Sequence, residues 1–297
     1  MIIDRILKRL TPKKFEKLKE TEIDQLQRIK EYYEECHSSF QHWGEEGPYN
    51  MHYGFWDENT YSHIQSLINT NRVLAERVKV ISGDKILDAG CGMGASAIWL
   101  AKHYNVEVIG ITISELEYKK AQIFAKAAGV LDKVKFYIGD FTNTNFNDES
   151  FDIIWGIESV CHIINKKDFI KEARRILKNN GKLIISDGFI KKDNLNKLDE
   201  WLLDNWIKRW RVPNLVKVSD FQKYLEETRF KNVKFIDITK NILPSSREIF
   251  KRGILGWPVY KLKRKNLIQM NHVEGCIFQY LALKRGIWIY EILYAEK

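Results

Sequence analysis

From residue 85 onward the chain alternates short apolar runs with amphipathic stretches. The runs at 85–87, 107–111, 134–138, 151–155 and 181–186 have strand length and strand composition, and patterns of helical period fill 95–104, 115–128 and 167–177. Such alternation predicts βαβ units and a parallel sheet. Asn179-Asn180-Gly181 reads as a helix stop followed by a strand start, with Gly181 suited to positive φ.

The flanks differ. Residues 22–35 and 61–80 read as amphipathic helices, separated by a loop rich in Gly, Pro, Trp and Tyr at 42–56. After 186 a helix over 195–211 carries Trp201, Trp206 and Trp210. Ser219, three residues before Gln222, has the spacing of a capping box at the head of a helix over 219–228. A sixth strand is expected over 233–239 and a last one over 288–295. Between them 240–285 reads as an irregular, partly helical insert interrupted by Pro244 and Pro258. The expected organisation is an N-terminal helical cap with a lid loop (1–80), an α/β core (81–188), cap helices (189–232), and two final strands (233–297) carrying an insert at 240–286.

At 297 residues with 44% hydrophobic and 29% charged positions, the chain can bury a sizeable core. Cys36, Cys91, Cys161 and Cys276 are scattered without a C-x-x-C pair, which fits reduced thiols in the cytoplasm and argues against a zinc site. Neither a signal peptide nor a membrane span is expected. The net charge of +9 gathers at Lys8, Arg9, Lys13, Lys14, Lys17 and Lys19, and again at Lys251, Arg252, Lys261, Lys263, Arg264 and Lys265. Such patches suit a solvated surface, nucleic acid, an anionic membrane or a phosphorylated substrate. Ile3, Ile6, Leu7 and Leu10 share one helical face, so peripheral membrane contact and docking on the protein itself both stay open.

The most informative stretch is Lys85 to Gly94, Lys-Ile-Leu-Asp-Ala-Gly-Cys-Gly-Met-Gly. A strand that breaks into glycines and re-enters a helix lets a ligand approach bare backbone. The G-x-G-x-G spacing is not the dinucleotide fingerprint. Asp88 would repel a phosphate and suits a ligand carrying an ammonium and a sulfonium. This stretch resembles the first motif of class I S-adenosylmethionine-dependent methyltransferases. That resemblance implies a Rossmann-like seven-stranded, mostly parallel sheet whose last strand lies antiparallel between strands five and six, with helical cap insertions. It implies S-adenosyl-L-methionine as cofactor and S-adenosyl-L-homocysteine as product.

Cofactor-binding residues implied by the resemblance are Asp88, Gly90, Gly92, Gly94, Thr112, Ile113, Glu117, Asp140, Phe141 and Ile157, with Tyr53 in the pre-core loop closing over the cofactor. Many members carry an acid at the Thr112 position to hold the ribose. Here Glu117, five residues on, has the acceptor capacity for two hydroxyls. Gly-Ile-Thr-Ile-Ser at 110–114 is similar to cyclopropane-fatty-acid synthases and to terpenoid and sterol C-methyltransferases. Ile-Glu-x-x-Cys-His at 157–162 looks like the corresponding region of sterol methyltransferases, and tocopherol methyltransferases have a related stretch.

Glu158 and His162 are the expected catalytic pair, sharing one face if the segment turns helical. Tyr33, Trp56, Trp201, Trp206 and Trp257 are the expected acceptor-binding aromatics, from a wider pool that includes Tyr49, Phe55 and Trp210. The expected reaction is C-methylation of a small hydrophobic isoprenoid, sterol-like or lipid acceptor, with Glu158 as base or cation stabiliser. N- or O-methylation of an amine, phenol or glycosylated metabolite is the alternative. Convergence of Arg247, Lys251 and Arg252 at the cavity mouth would favour a diphosphate-bearing acceptor. No motif for nucleic-acid methylation and no convergent metal ligands are present; oligomeric state and acceptor atom stay open.

Overall fold

The computed structural model describes residues 22–43 and 51–297. The N-terminal amphipathic stretch, its basic cluster and Tyr49 lie outside the described residues.

The sheet is built from β1 (Lys85–Ala89), β2 (Glu107–Thr112), β3 (Val134–Ile138), β4 (Phe151–Ile157), β5 (Leu177–Ile190), β6 (Lys231–Asp237) and β7 (Trp288–Glu296). Its order is β3-β2-β1-β4-β5-β7-β6. The first five strands are mutually parallel, and β7 pairs antiparallel with both β5 and β6. Helices α3 (Ala95–Tyr104), α4 (Glu115–Ala128) and α5 (Lys166–Ile176) make the crossovers. The seven-stranded, Rossmann-like arrangement is therefore as expected.

Side-chain alternation along each strand feeds two separate cores, as a doubly covered sheet requires. Ile86, Val108, Ile153, Trp155, Ile184 and Ile292 are buried on one face. Their chain neighbours Leu87, Ile109, Ile154, Ile185 and Leu293 are buried on the other.

The remaining helices are α1 (Glu22–Trp43), α2 (His63–Val78), α6 (Lys197–Ile207), α7 (Val218–Glu227), α8 (Thr239–Leu262) and α9 (Leu267–Lys284), of which α2 and α7 join the cores on opposite faces of the sheet. Segment 240–286 is thus not irregular. It is a hairpin of two long helices, and α8 continues through Pro244 and Pro258. The apolar spacing of α8, packed on α9, outweighs the local cost of each proline. Ser219 is not a cap either, because α7 starts at Val218 with Lys217 at the N-cap and no side-chain bond there. At the β5 entrance the left-handed residue is Asn180 (φ 63°), not Gly181. A Cβ on Gly181 would instead sit 2.8 Å from the Lys178 carbonyl oxygen, so that glycine serves a close approach.

Trp155, in the central strand β4, is completely buried. Trp155→Ala is expected to lower unfolding free energy by about 3–5 kcal/mol. A guanidinium titration should show this as a lower midpoint with unchanged slope. A loss under about 1 kcal/mol would mean that the two-faced core is wrongly drawn.

Candidate active site

In an open parallel sheet a ligand sits beyond the carboxyl ends of the strands, where strand order reverses. Here the reversal lies between β1 and β4. A cleft opens there, walled by Asp88 of β1, Thr112 of β2, Glu158 after β4, and Asp140 and Phe141 after β3.

The turn after β1 is pinned by Gly90 and Cys91, whose N–H groups donate to the Ile111 carbonyl at 3.0 and 2.8 Å. Gly90 has φ +85°, and a Cβ there would fall 2.4 Å from the Ser159 Cβ, so β4 approaches too closely for any side chain. Gly92, at φ +50°, has only Met51 and Glu117 nearby and faces the cleft.

Three carboxyl groups are sunk in this cleft. Asp88 accepts a backbone hydrogen bond from Ala97, yet its Oδ2 has no partner among the described residues. Burial pushes it up to about 7. Glu117 accepts the Thr112 hydroxyl at 2.6 Å, and burial pushes it to about 7 as well. Glu158 is held most tightly. Its Oε1 accepts the Tyr53 N–H at 2.6 Å and the Tyr290 hydroxyl at 2.7 Å, while burial carries it to about 8. Its backbone has φ +49°, a strained conformation for a residue with a Cβ and one that clusters at functional sites. The Glu158 N–H donates to Ser186 at 2.9 Å and holds that geometry against β5.

The segment after Glu158 is a short 3₁₀ turn, Val160–His162, not an α-helix, so helical spacing is not what pairs the two side chains. His162 nevertheless reaches the same cleft. Its Nδ1 lies 3.1 Å from the Arg211 carbonyl, which only accepts, so Nδ1 carries the hydrogen. Nε2 then accepts the Tyr33 hydroxyl at 2.9 Å, and burial holds the ring neutral, down to about 4. Buried Lys166 donates to the carbonyls of Cys161 and Ile163 at 2.9 and 2.5 Å, tying down this loop.

A second cavity adjoins the first. Tyr33, Met51, His52, Glu158 and His162 wall both, so the two spaces meet at Glu158. The second is an aromatic chamber whose walls include Tyr32, Tyr53, Trp206, Trp210, Trp288 and Tyr290. Val212, Leu215 and Ile249 supply its aliphatic wall, and among the described residues no Lys or Arg lines it. Lys251 and Arg252 pair with Glu248, and the Arg252 charge acts on His63 of the chamber wall.

Of the expected cofactor residues, Asp88, Gly90, Gly92, Thr112, Ile113, Glu117, Asp140, Phe141 and Ile157 line the cleft. Gly94 does not. It is the left-handed N-cap of α3, packed against Phe136. Tyr53 is turned away, since its hydroxyl donates to Gln279 at 2.9 Å and its ring belongs to the chamber. Among the expected acceptor residues, Tyr33 and Trp206 line the chamber. Trp56, Trp201 and Trp257 do not. The Trp56 backbone bonds to Asn241, Trp201 packs edge-on against Phe278, and Trp257 donates to Glu274 outside the chamber.

Trp288 and Tyr290 carry only a strand signal in the sequence, although their β7 positions put them in the chamber wall. The Gln25, Leu26 and Ile29 face of α1, which covers the cleft, has only a generic amphipathic signal. That helix is anchored by Ser114, whose hydroxyl donates to Glu34 at 3.1 Å, and by Gln25 on Arg211 at 2.8 Å.

A model of the methyltransferase domain family matches residues 87–185. The 27-O-demethylrifamycin SV methyltransferase of Amycolatopsis mediterranei (strain S699) is 35% identical over 242 residues, spanning 80% of this chain and 82% of that one. The chloroplastic tocopherol O-methyltransferase of Arabidopsis thaliana is 26% identical over 295 residues, 91% and 81% of the two chains. Among solved structures, geranyl diphosphate C-methyltransferase from Streptomyces coelicolor A3(2), in complex with Mg2+, geranyl diphosphate and S-adenosyl-L-homocysteine, superposes with a TM-score of 0.71. That likeness covers 92% of this chain and 97% of the other at 17% identity, and speaks for the fold. The chain belongs to the class I S-adenosyl-L-methionine-dependent methyltransferases. It is an enzyme of one-carbon transfer, and among the described residues no helix is long and apolar enough to cross a membrane.

Asp88, Glu117 and Glu158 bind protons more tightly folded than unfolded, because burial raises each above its ordinary value of 3.8 or 4.5. Their contribution to stability is full below those values and is lost as pH rises through about 7 to 8. The buried histidines, lowered to about 4, have the opposite effect, which fades as pH rises past their ordinary value of 6.5. The ligand-free protein is therefore expected to lose melting temperature between about pH 7 and 8. A melting temperature that climbs over this interval would contradict the burial of these carboxyls.

Proposed function

We propose that the cleft holds S-adenosyl-L-methionine, that the chamber holds a small, uncharged, hydrophobic acceptor bearing a hydroxyl, and that Glu158 takes the hydroxyl proton. The cofactor supplies an electrophilic methyl on a sulfonium, and the protein's tasks are alignment, water exclusion and proton handling.

The residues present fit the cofactor's chemistry. Asp88, with an unpartnered oxygen among the described residues, would take the ammonium of the methionyl part. Glu117, already oriented by Thr112, has acceptor capacity for the ribose hydroxyls. Asp140, held by Thr142 at 2.8 Å, would accept from the adenine amine, with Phe141 against the base. The bare backbone at Gly92 leaves room for the ligand, whereas the space beside Gly90 is taken by Ser159.

Glu158 carries the reading of the acceptor. It stands where the cavities meet, strained, doubly hydrogen-bonded on Oε1, and raised to about 8. A base tuned near neutrality is matched to an acidic hydroxyl such as a phenol. Glu158 is drawn down and ionised when a cation lodges beside it, so the base is armed when the methyl donor is in place. The aromatic walls, with Tyr53 edge-on to Tyr290 at 5.6 Å, favour C-methylation as the second reading, since ring faces also steady a cation. Among the described residues no Lys or Arg lines the chamber, which gives a diphosphate-bearing acceptor no support there. Nucleic acid does not suit an enclosed aromatic chamber. The relatives named for O-methylation support the first reading.

Glu158→Gln keeps size and loses the base. Turnover on a phenolic acceptor, found by screening labelled cofactor against phenols, alcohols and isoprenoid alkenes, is expected to fall about 10²–10⁴-fold. Affinity for S-adenosyl-L-homocysteine should change by less than about threefold. Equal losses in both would make Glu158 a cofactor ligand, and labelling of alkenes alone would transfer the assignment to carbon.

Binding of S-adenosyl-L-homocysteine is expected to weaken by about tenfold per coupled carboxyl between pH 8 and 6, as Asp88 and Glu117 take up protons. Calorimetry near neutral pH in buffers of different ionisation enthalpy should register proton release. Affinity independent of pH, with no proton released, would place the ligand elsewhere.

A further inference from the structure

The hairpin of α8 and α9 extends past the acceptor chamber, and its tip differs in chemistry from the rest of the surface. Leu255, Val259 and Leu262 are spaced i, i+4, i+7 on α8, hence on one face, and are 72%, 45% and 85% exposed. Leu267, at the start of α9, is 72% exposed. A helix stripe of this kind normally turns toward a core, whereas here it faces solvent.

The charge around the stripe is one-sided. Between Glu248 and Glu274 the chain has no carboxylate side chain, while Lys251, Arg252, Lys261, Lys263, Arg264 and Lys265 all fall in that interval. Glu248 pairs with Lys251 and Arg252 at the base of the tip. Lys261 lies 5.0 Å over the Trp257 ring. Lys263, Arg264 and Lys265 are exposed in the turn between the helices. The neighbouring carboxylate from another element is Glu35 of α1, which accepts the Asn266 amide at 2.6 Å.

We infer that this tip docks on an anionic lipid surface, with Leu255, Val259 and Leu262 entering the headgroup boundary and the basic turn reading the negative charge. Apolar stripe and cations side by side are the two attractions that hold an amphipathic helix at such a surface. A protein partner or a second copy would answer the leucines but gives no account of a collar in which cations outnumber carboxylates. Ile249 of α8 and His272 of α9 line the chamber, so the hairpin that meets the lipid also walls the acceptor site. Docking would thus bring the chamber beside the phase where a hydrophobic acceptor concentrates. The inference stands apart from the assignment of acceptor atom and base.

The test is co-sedimentation of the full chain with vesicles of phosphatidylcholine alone, or containing about one-third phosphatidylglycerol. Partition is expected into the anionic vesicles only, weakening with salt. Leu255→Ser with Leu262→Ser, and separately Lys263→Glu with Arg264→Glu and Lys265→Glu, should each cut partition at least about tenfold. Both should leave S-adenosyl-L-homocysteine affinity unchanged. Should the leucine variant lose its fold by circular dichroism, the charge variant alone decides. No partition of the wild-type chain, or undiminished partition of the variants, would overturn the inference. So would a wild-type dimer that the leucine variant converts to monomer, since the stripe would then be a contact between copies.

Discussion

Three carboxyl groups held out of water in one cleft are the constraint around which this molecule is arranged. Desolvation makes an ionised carboxylate costly, and each of Asp88, Glu117 and Glu158 sits above its ordinary range for that reason first. Such groups survive in a fold when a ligand needs them. The sheet places them at the carboxyl ends of β1 and β4 and at the head of α4, α1 covers them, and β7 contributes the Tyr290 hydroxyl that fixes Glu158. A cation entering the cleft would relieve the desolvation, which links cofactor binding, proton release and arming of the base in one electrostatic event.

The division of labour follows the layers. The parallel core contributes ligand-facing backbone and carboxyls from strand ends. The chamber's aromatic rings come from α1, the loop at 51–53, α6 with the residues after it, and β7, while the α8–α9 hairpin adds Ile249, His272 and the basic tip. Glu158 lies on the seam between them, its strained backbone fixed by Ser186 and its side chain by Tyr53 and Tyr290.

Much of this was legible in the chain because it is local. The strand–glycine turn–helix at 85–104 and the acid after β3 are fixed by neighbours in sequence, so Asp88, Gly90, Gly92, Glu117 and Asp140 could be placed before any coordinates. Gly94 reads as a ligand contact in the sequence because a left-handed helix cap, which is what the structure makes of it, asks for the same residue type. The acceptor wall was poorly legible because it is assembled from residues far apart in sequence. Trp201 and Trp206 sit on one helix, yet only Trp206 is turned toward the chamber, a difference set by how α6 packs on α9. Trp288 and Tyr290 look like strand core until β7 is inserted beside β5. Two prolines made 240–286 look irregular, while packing of α8 on α9 decided otherwise.

The most direct measurement is a crystal structure of the chain soaked with S-adenosyl-L-homocysteine. The account expects the nucleoside against the peptide units of Gly90 and Gly92, its ribose on Glu117, its amino group on Asp88, and its sulfur pointing to Glu158 at the junction of the two cavities. Density for the ligand in the aromatic chamber, or a sulfur facing away from Glu158, would contradict it.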